Sequence, residues 1–293
     1  GSGGATGLNL KGATATESEL GYHWANSSGS YNFSSGLQVP VNQWSHVALV
    51  VNGTSAKLYL NGKAATRTAT HNAVNFSSGF NLGNDRGNSS RTFKGLMEEI
   101  RIYNRALSQE EIRERMHLTG NVGSDANLVS YYQFNESAGK ILDRIGTAHA
   151  TLNGSASRAS SAAPVATGVS NRQTVIASGV VSFGTTGVTI DFSSGGTLPN
   201  GEIAVSRLDA APNVDTGITA KSRSYWVIEN FGTNASFTNL NSITFSNIGN
   251  VTASDVASPN RFKLYKRDSR ADDQTWTLVG TGTSAIAGSD GSV

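Results

Sequence analysis

Apolar residues along this chain recur in short runs with a period of two, the spacing that puts alternate side chains on one face of a β-strand. Leu20, Tyr22 and Trp24 share one face of such a run, with Gly21 and His23 between them. Residues 44–51 (WSHVALVV) read as a nearly continuous apolar strand, and residues 57–60 (KLYL) as the next. Asn61-Gly62 between Leu60 and Lys63 predicts a tight hairpin turn, because both residues tolerate positive φ. Residues 80–83 give another short strand, and residues 92–103 (TFKGLMEEIRIY) carry the strongest alternation of the first half. Residues 128–134 add one more, followed by a Gly-rich turn and a short segment at 150–152.

A single helix interrupts this pattern. Ser108-Gln-Glu-Glu111 has the form of a capping box, in which the Ser hydroxyl accepts from the backbone three residues on and the Glu reciprocates. Ile112 and Met116 fall on one stripe, Glu111 and Arg115 are spaced for an i,i+4 pair, and Gly120 is a plausible stop. The helix reads as a lid on a sheet, not as the start of a helical domain.

Residues 155–171 (SASRASSAAPVATGVSN) are small and polar, which is linker composition. Beyond them strands are expected at 180–183, 188–192, 203–207, 224–229, 242–245, 262–266 and 276–279. Seven short strands in about 120 residues fit a β-sandwich. The expected fold class is therefore all-β, with two β-sandwich domains. The expected boundaries are a first domain over 1–118, appended strands over 119–154, a linker over 155–171 and a second sandwich over 172–293.

Composition narrows the chemistry. The 293 residues hold no Cys, which removes disulfides, thiolate metal sites and thiol nucleophiles. Ser, Thr, Asn and Gly make up about two-fifths of the chain, far above ordinary usage and suited to polar turns between short strands. The formal net charge of +2 gives no electrostatic footprint for a nucleic-acid backbone. No apolar run approaches the roughly 18 residues that span a bilayer, so no membrane insertion is expected.

Several segments, in order and spacing, resemble the laminin-G-like jelly rolls of the concanavalin A-like lectin/glucanase superfamily. They are Trp44-Ser-His-Val-Ala48, Leu58-Tyr-Leu-Asn-Gly62, Asn81-Leu-Gly83 and, most specifically, residues 93–108 (FKGLMEEIRIYNRALS) followed by Glu111-Ile112. The resemblance covers about residues 7–118 and implies a jelly roll that recognises glycans or proteins. Residues 128–136 with Asp143 and residues 151–154 look like the extension that trails such domains. Residues 172–293 are similar to a second sandwich of secreted Bacteroidota proteins, carried by Tyr225-Trp226-Val-Ile-Glu-Asn230, Gly232-Thr-Asn234 and Trp276-Thr-Leu-Val-Gly280. That similarity implies a type IX secretion context, with the secretion and attachment machinery engaged through regions outside this chain. The family's jelly roll normally opens with strands before the segment matching Gly7, and the chain ends abruptly at Gly291-Ser292-Val293. An internal piece of a larger protein is therefore expected, with exposed sheet edges near residue 7.

Glycoside hydrolysis needs two facing carboxylates about 5 to 10 Å apart. Glu98 and Glu99 are adjacent, and on a strand they would point to opposite faces. Glu17 and Glu19 have strand spacing, yet lie in a Ser/Thr/Gly-rich stretch that reads as a loop. Asp215-Thr-Gly217 and Gly282-Thr-Ser-Ala285 imitate protease motifs, but the second half has no His to act as base and only one Asp-Thr-Gly. His46, inside an apolar strand, reads as a hydrogen-bonded wall residue. No two His residues have zinc-pair spacing. The Asn-x-Ser/Thr sites at Asn26, Asn52, Asn75, Asn88 and Asn135 read as turns. The chain is expected not to be an enzyme.

Two binding sites are expected instead. Tyr22, His23, Trp24 and Tyr31, with Phe33 nearby, could stack and hydrogen-bond a sugar, although the shared face of Tyr22 and Trp24 is equally a core face. Asn84, Asp85 and Asn88 make an oxygen-rich loop that could hold calcium or close an Asx-turn; no cofactor is required. The expected function is recognition or adhesion by a secreted or outer-surface bacterial protein with a glycan or surface-protein ligand. Its rivals are an accessory carbohydrate-binding module of a secreted hydrolase, which tight binding of a defined polysaccharide would mark, and a ligand-free structural spacer.

Overall fold

A computed structural model describes residues 6–74, 79–85, 88–120, 125–212, 217–218, 222–249, 251–271 and 274–288. Asn75, the Asp215-Thr216 pair and Gly291–Val293 lie outside the described residues. The protein is all-β, and it divides into two compact units: Gly1–Ile112 with Asn121–Ser161, and Arg113–Gly120 with Ala162–Val293.

In the first unit, strands β1 (Gly7–Lys11), β2 (Glu17–His23) and β3 (Gln38–Pro40) form one antiparallel sheet in that order. A second sheet holds β4 (Val47–Val51), β5 (Ser55–Leu60) and β6 (Lys63–Thr68). Leu20 and Tyr22 of β2 pack with Ala56, Leu58 and Leu60 of β5 in one apolar cluster. The period of two that marked these residues in the sequence is thus what lets two sheets share a core, each buried Leu contributing about 1.5–3 kcal/mol. The turn between β5 and β6 forms as its sequence predicts, with Asn61 at φ 48° and Gly62 at φ 76°. Strand β1 is an edge strand, and its Leu8 and Leu10 are exposed.

Residues 80–103 depart from the expected strands. Residues 80–83 are irregular and Phe80 is exposed. Strands β7 (Asn84–Asp85) and β8 (Asn88–Thr92) pair, and β9 (Ile100–Tyr103) pairs with β10 (Leu128–Tyr132). Between β8 and β9 the chain is not a strand, and Glu99 sits at φ 56°. The alternation read from residues 92–99 therefore places Phe93, Leu96 and Met97 in solvent-exposed positions.

Helix α1 (Gln109–Arg115) begins at the expected capping box: Ser108 N–H donates to Glu111 Oε2 (2.9 Å) and Glu111 N–H to Ser108 Oγ (3.2 Å). Glu111 also takes a two-pronged contact from Arg105, at 2.6 and 2.7 Å. Ile112 and Met116 are buried.

The second unit has two three-stranded sheets. One holds β11 (Gly168–Val175), β14 (Gly201–Leu208) and β15 (Tyr225–Asn230); the other holds β12 (Gly179–Ser182), β13 (Val188–Phe192) and β16 (Leu240–Phe245). Helix α2 (Ala253–Ala257) and the hairpin of β17 (Lys263–Lys266) and β18 (Thr277–Thr281) follow. Val188, Ile190 and Phe192 of β13 join Ile203 and Val205 of β14 in the core. Strand β11 begins inside the stretch expected to be linker; its polar residues pair with β14 over its whole length. The turn into β13 uses Gly187 at φ 75°, where a Cβ would meet the Ser246 carbonyl oxygen at 2.5 Å.

Candidate functional site

The expected sugar-binding residues lie where β2 ends. Past His23 the chain doubles back through residues 24–33, fixed by its own hydroxyls. Ser30 Oγ accepts from Trp24 N–H (3.0 Å), and Ser27 N–H donates to the Trp24 carbonyl (3.1 Å). Asn26 and Gly29 take the left-handed conformation that reverses the chain. A 3-10 turn over Ser30–Asn32 then presents Tyr31 with 58% of its surface exposed.

The four residues separate into two pairs. Tyr22 has 1% of its surface exposed, so it belongs to the core and not to a ligand surface, which corrects its place among the sugar contacts. Trp24 is half-buried against the same cluster, with its indole N–H donating to the Asn72 carbonyl (2.8 Å). Strand alternation turns His23 the other way, where its ring meets Tyr31 edge-on with centroids 6.2 Å apart. His23 and Tyr31 are thus the pair that the fold brings together.

Beneath the loop runs a polar chain that sequence reasoning missed. Arg67 Nη1 donates to the Tyr22 hydroxyl (3.3 Å), and that hydroxyl lies 2.7 Å from His71 Nε2. His71 Nδ1 lies 2.7 Å from the Ala69 carbonyl, which can only accept. The imidazole therefore carries its proton on Nδ1 and accepts from Tyr22 through Nε2. Arg67 also donates to Ser27 Oγ (3.1 Å) and, through Nη2, to the Ser28 carbonyl (2.6 Å). Arg67 and His71 are 45 and 49 residues from Tyr22, and no local motif links them.

Asp85 and Asn88 of the oxygen-rich loop each accept hydrogen bonds from residues that follow them. Asp85 Oδ2 accepts from Arg91 (3.1 Å), while Asn88 Oδ1 accepts from the Ser90 N–H (3.0 Å) and hydroxyl (2.7 Å) in an Asx-turn. The Asx-turn is one of the two readings offered for Asn84, Asp85 and Asn88. Among the described residues no group of three or more His, Asp or Glu is arranged to hold a metal ion.

Two carboxylate pairs also change character. Glu17 and Glu19 lie on β2 and not in a loop. Glu19 Oε1 accepts from Ser34 (2.6 Å) and from Gly36 N–H (2.9 Å), contacts that hold its carboxyl down to about 2. Such a group has no proton to give near neutral pH. Glu98 and Glu99 escape strand alternation because Glu99 is left-handed. Burial pushes both carboxyls up, against the hydrogen bonds from Ser161 to Glu98 and from Tyr131 to Glu99.

An open cleft of about 360 Å³ is lined by Phe134, Asn135, Glu136, Arg158 and Ser160 among others. Its charged groups turn to the protein: Glu136 to Arg144 (2.8 Å) and Arg158 to the Gly139 carbonyl (2.6 Å).

With two facing sheets and this loop established, the comparison with known families identifies the class. Residues 1–113 match the Laminin_G_3 family, described as concanavalin A-like lectin/glucanases superfamily. The first part of the chain is therefore a laminin-G-like domain of a superfamily that holds both lectins and glucanases. No curated protein and no solved structure matches the chain.

Proposed function

We propose that this chain is a non-catalytic recognition segment that binds carbohydrate through the loop over residues 23–31. The observation that carries the reading is Tyr31, an exposed ring braced by His23 on a loop whose backbone is fixed by Ser27 and Ser30. An exposed aromatic on a rigid loop is what stacking against a sugar face requires. The superfamily match supports the ligand class. The acidity of Glu19 and the internal bonding of Glu98 and Glu99 support a non-catalytic role.

The segment works, in this proposal, on the outside of a bacterial cell in adhesion, with the second sandwich as a spacer and a protein ligand as the alternative to a glycan. The resemblance of residues 172–293 to secreted Bacteroidota sandwiches supports the location. A glycan array with the whole chain and with Tyr31→Ala tests the binding site. Binding to defined glycans that the variant loses, with unchanged thermal unfolding, is the expected result. Binding that survives in Tyr31→Ala moves the site elsewhere, and an array without a binder removes the carbohydrate reading.

A further inference from the structure

Four Asn-Gly pairs occur in the chain, at 52–53, 61–62, 153–154 and 200–201. An asparagine before glycine is open to an internal reaction, because a residue without a side chain leaves its backbone nitrogen accessible to the neighbouring amide carbon. Folding decides whether the reaction proceeds. The Asn side chain must be free to swing over the following nitrogen, and that N–H must be free of an acceptor.

Three of the pairs are tied. Asn52 is exposed, but its Oδ1 accepts from the N–H groups of Thr54 (2.9 Å) and Ser55 (2.7 Å) and from both of their hydroxyls. Asn61 Oδ1 accepts from His46 N–H (2.8 Å), and Gly62 is buried in the hairpin. Asn200 Nδ2 donates to Thr233 Oγ1 (2.7 Å), and Gly201 opens β14 against Gly232, whose Cα would lie 2.5 Å from a Cβ placed on it.

The pair at 153–154 differs on each count. Asn153 and Gly154 are both exposed, and Gly154, at φ 62°, has nothing within 4 Å of where a Cβ would stand. Asn153 Oδ1 accepts from no described group, and its Nδ2 makes one long bond, to the Thr151 carbonyl (3.3 Å). The Gly154 N–H donates to no described group. Ala156 N–H closes this turn instead, onto the Asn153 carbonyl (3.2 Å).

We infer that Asn153 is a site of spontaneous modification, where the folded chain converts its own amide to a carboxylate. The Gly154 nitrogen bonds to Asn153 Cγ and the Cγ–Nδ2 bond breaks, the N–H proton leaving with Nδ2 as ammonia. Water then opens the resulting cyclic imide. Breaking the new bond gives aspartate, and breaking the original main-chain bond gives isoaspartate, in which the chain runs through Cγ. Each event lowers the formal net charge of +2 by one unit, so an acidic form accumulates with time. This is independent of the carbohydrate reading.

The test incubates the whole chain at mildly alkaline pH, folded and in urea, and follows all four sites by peptide mapping for the amide-to-acid mass change. Enzymatic methylation of isoaspartyl groups separates the two products. In the folded chain Asn153 is expected to convert about tenfold faster than the other three, the net worth of one hydrogen bond expressed as a rate. In urea the four rates are expected to converge, because only local sequence then acts. Asn153→Gln is expected to abolish the early acidic form on isoelectric focusing, and Gly154→Ala to slow it by crowding the nitrogen. An unreactive Asn153, faster conversion at another pair, or a spread of rates unchanged by urea overturns the inference.

Discussion

The Tyr22 hydroxyl lies 2.7 Å from Nε2 of His71, 49 residues further along the chain, and this contact joins the core of the first unit to the loop that presents Tyr31. Tyr22 is buried between the two sheets, while its hydroxyl also receives Arg67, which in turn holds Ser27 and Ser28. A residue that reads as a sugar contact in the sequence is thus the post on which the loop over residues 24–33 is mounted.

Tyr22→Phe keeps the ring and deletes the hydroxyl, leaving His71 Nε2 without a donor and Arg67 Nη1 short of an acceptor. A loss of about 1–3 kcal/mol is expected from the two stranded partners. Urea denaturation of the variant measures it. A change within error of zero would mean that water replaces the hydroxyl at no cost.

The Glu98 and Glu99 carboxyls are pushed up by burial, so the folded state holds protons that the unfolded chain releases at the same pH. Their contribution is most favourable below the ordinary carboxylate range and is lost as pH rises through the raised folded-state values. Glu98→Gln removes one of these groups while keeping an acceptor for Ser161. The variant is expected to be more stable than the parent at neutral pH, with the difference shrinking toward pH 4. Thermal melts across that range decide it.

Glu229 shows the opposite sign. Burial pushes its carboxyl up, but His117 and Arg270 more than compensate, leaving it below the usual range. Its contribution is present above the unfolded carboxylate value and lost as pH falls through the lowered folded value. Glu229→Gln is therefore expected to destabilise the second unit at pH 7 and to flatten its acid denaturation limb. A variant with the parent's acid profile would show that other carboxylates control that limb.

Ser108→Ala removes the hydroxyl that accepts from Glu111 N–H at the start of α1. A loss of about 1 kcal/mol is expected, with the capping Glu111 contact to Ser108 N–H retained. Hydrogen exchange of the first-turn amides gives a local reading, and unchanged protection there would assign the stability of the helix start to Arg105 and Glu111.

What could be read in advance was local. The Asn61-Gly62 turn, the α1 cap and the Val188–Phe192 strand each depend on residues within a few positions of one another, and each forms as read. Failures came where partners from elsewhere overrode local pattern. Residues 92–99 have strand alternation, yet Glu99 turns left-handed where its carboxylate meets Tyr131 and Arg101. Strand β11 is too polar to read as a strand, and its pairing with β14 supplies what its side chains do not.

By itself, then, the sequence determined an all-β protein of short strands, because period-two apolar spacing and turn residues act over a few residues at a time. It also carried the order of segments that marks residues 1–113 as laminin-G-like. Only the tertiary structure decided which aromatic faces solvent. Tyr22 and Tyr31 have similar chemistry, and although period-two spacing put Tyr22 on a face that could be core, that spacing left open whether the face would meet a second sheet or a ligand. Their exposures of 1% and 58% follow from which sheet covers each, a property of long-range packing.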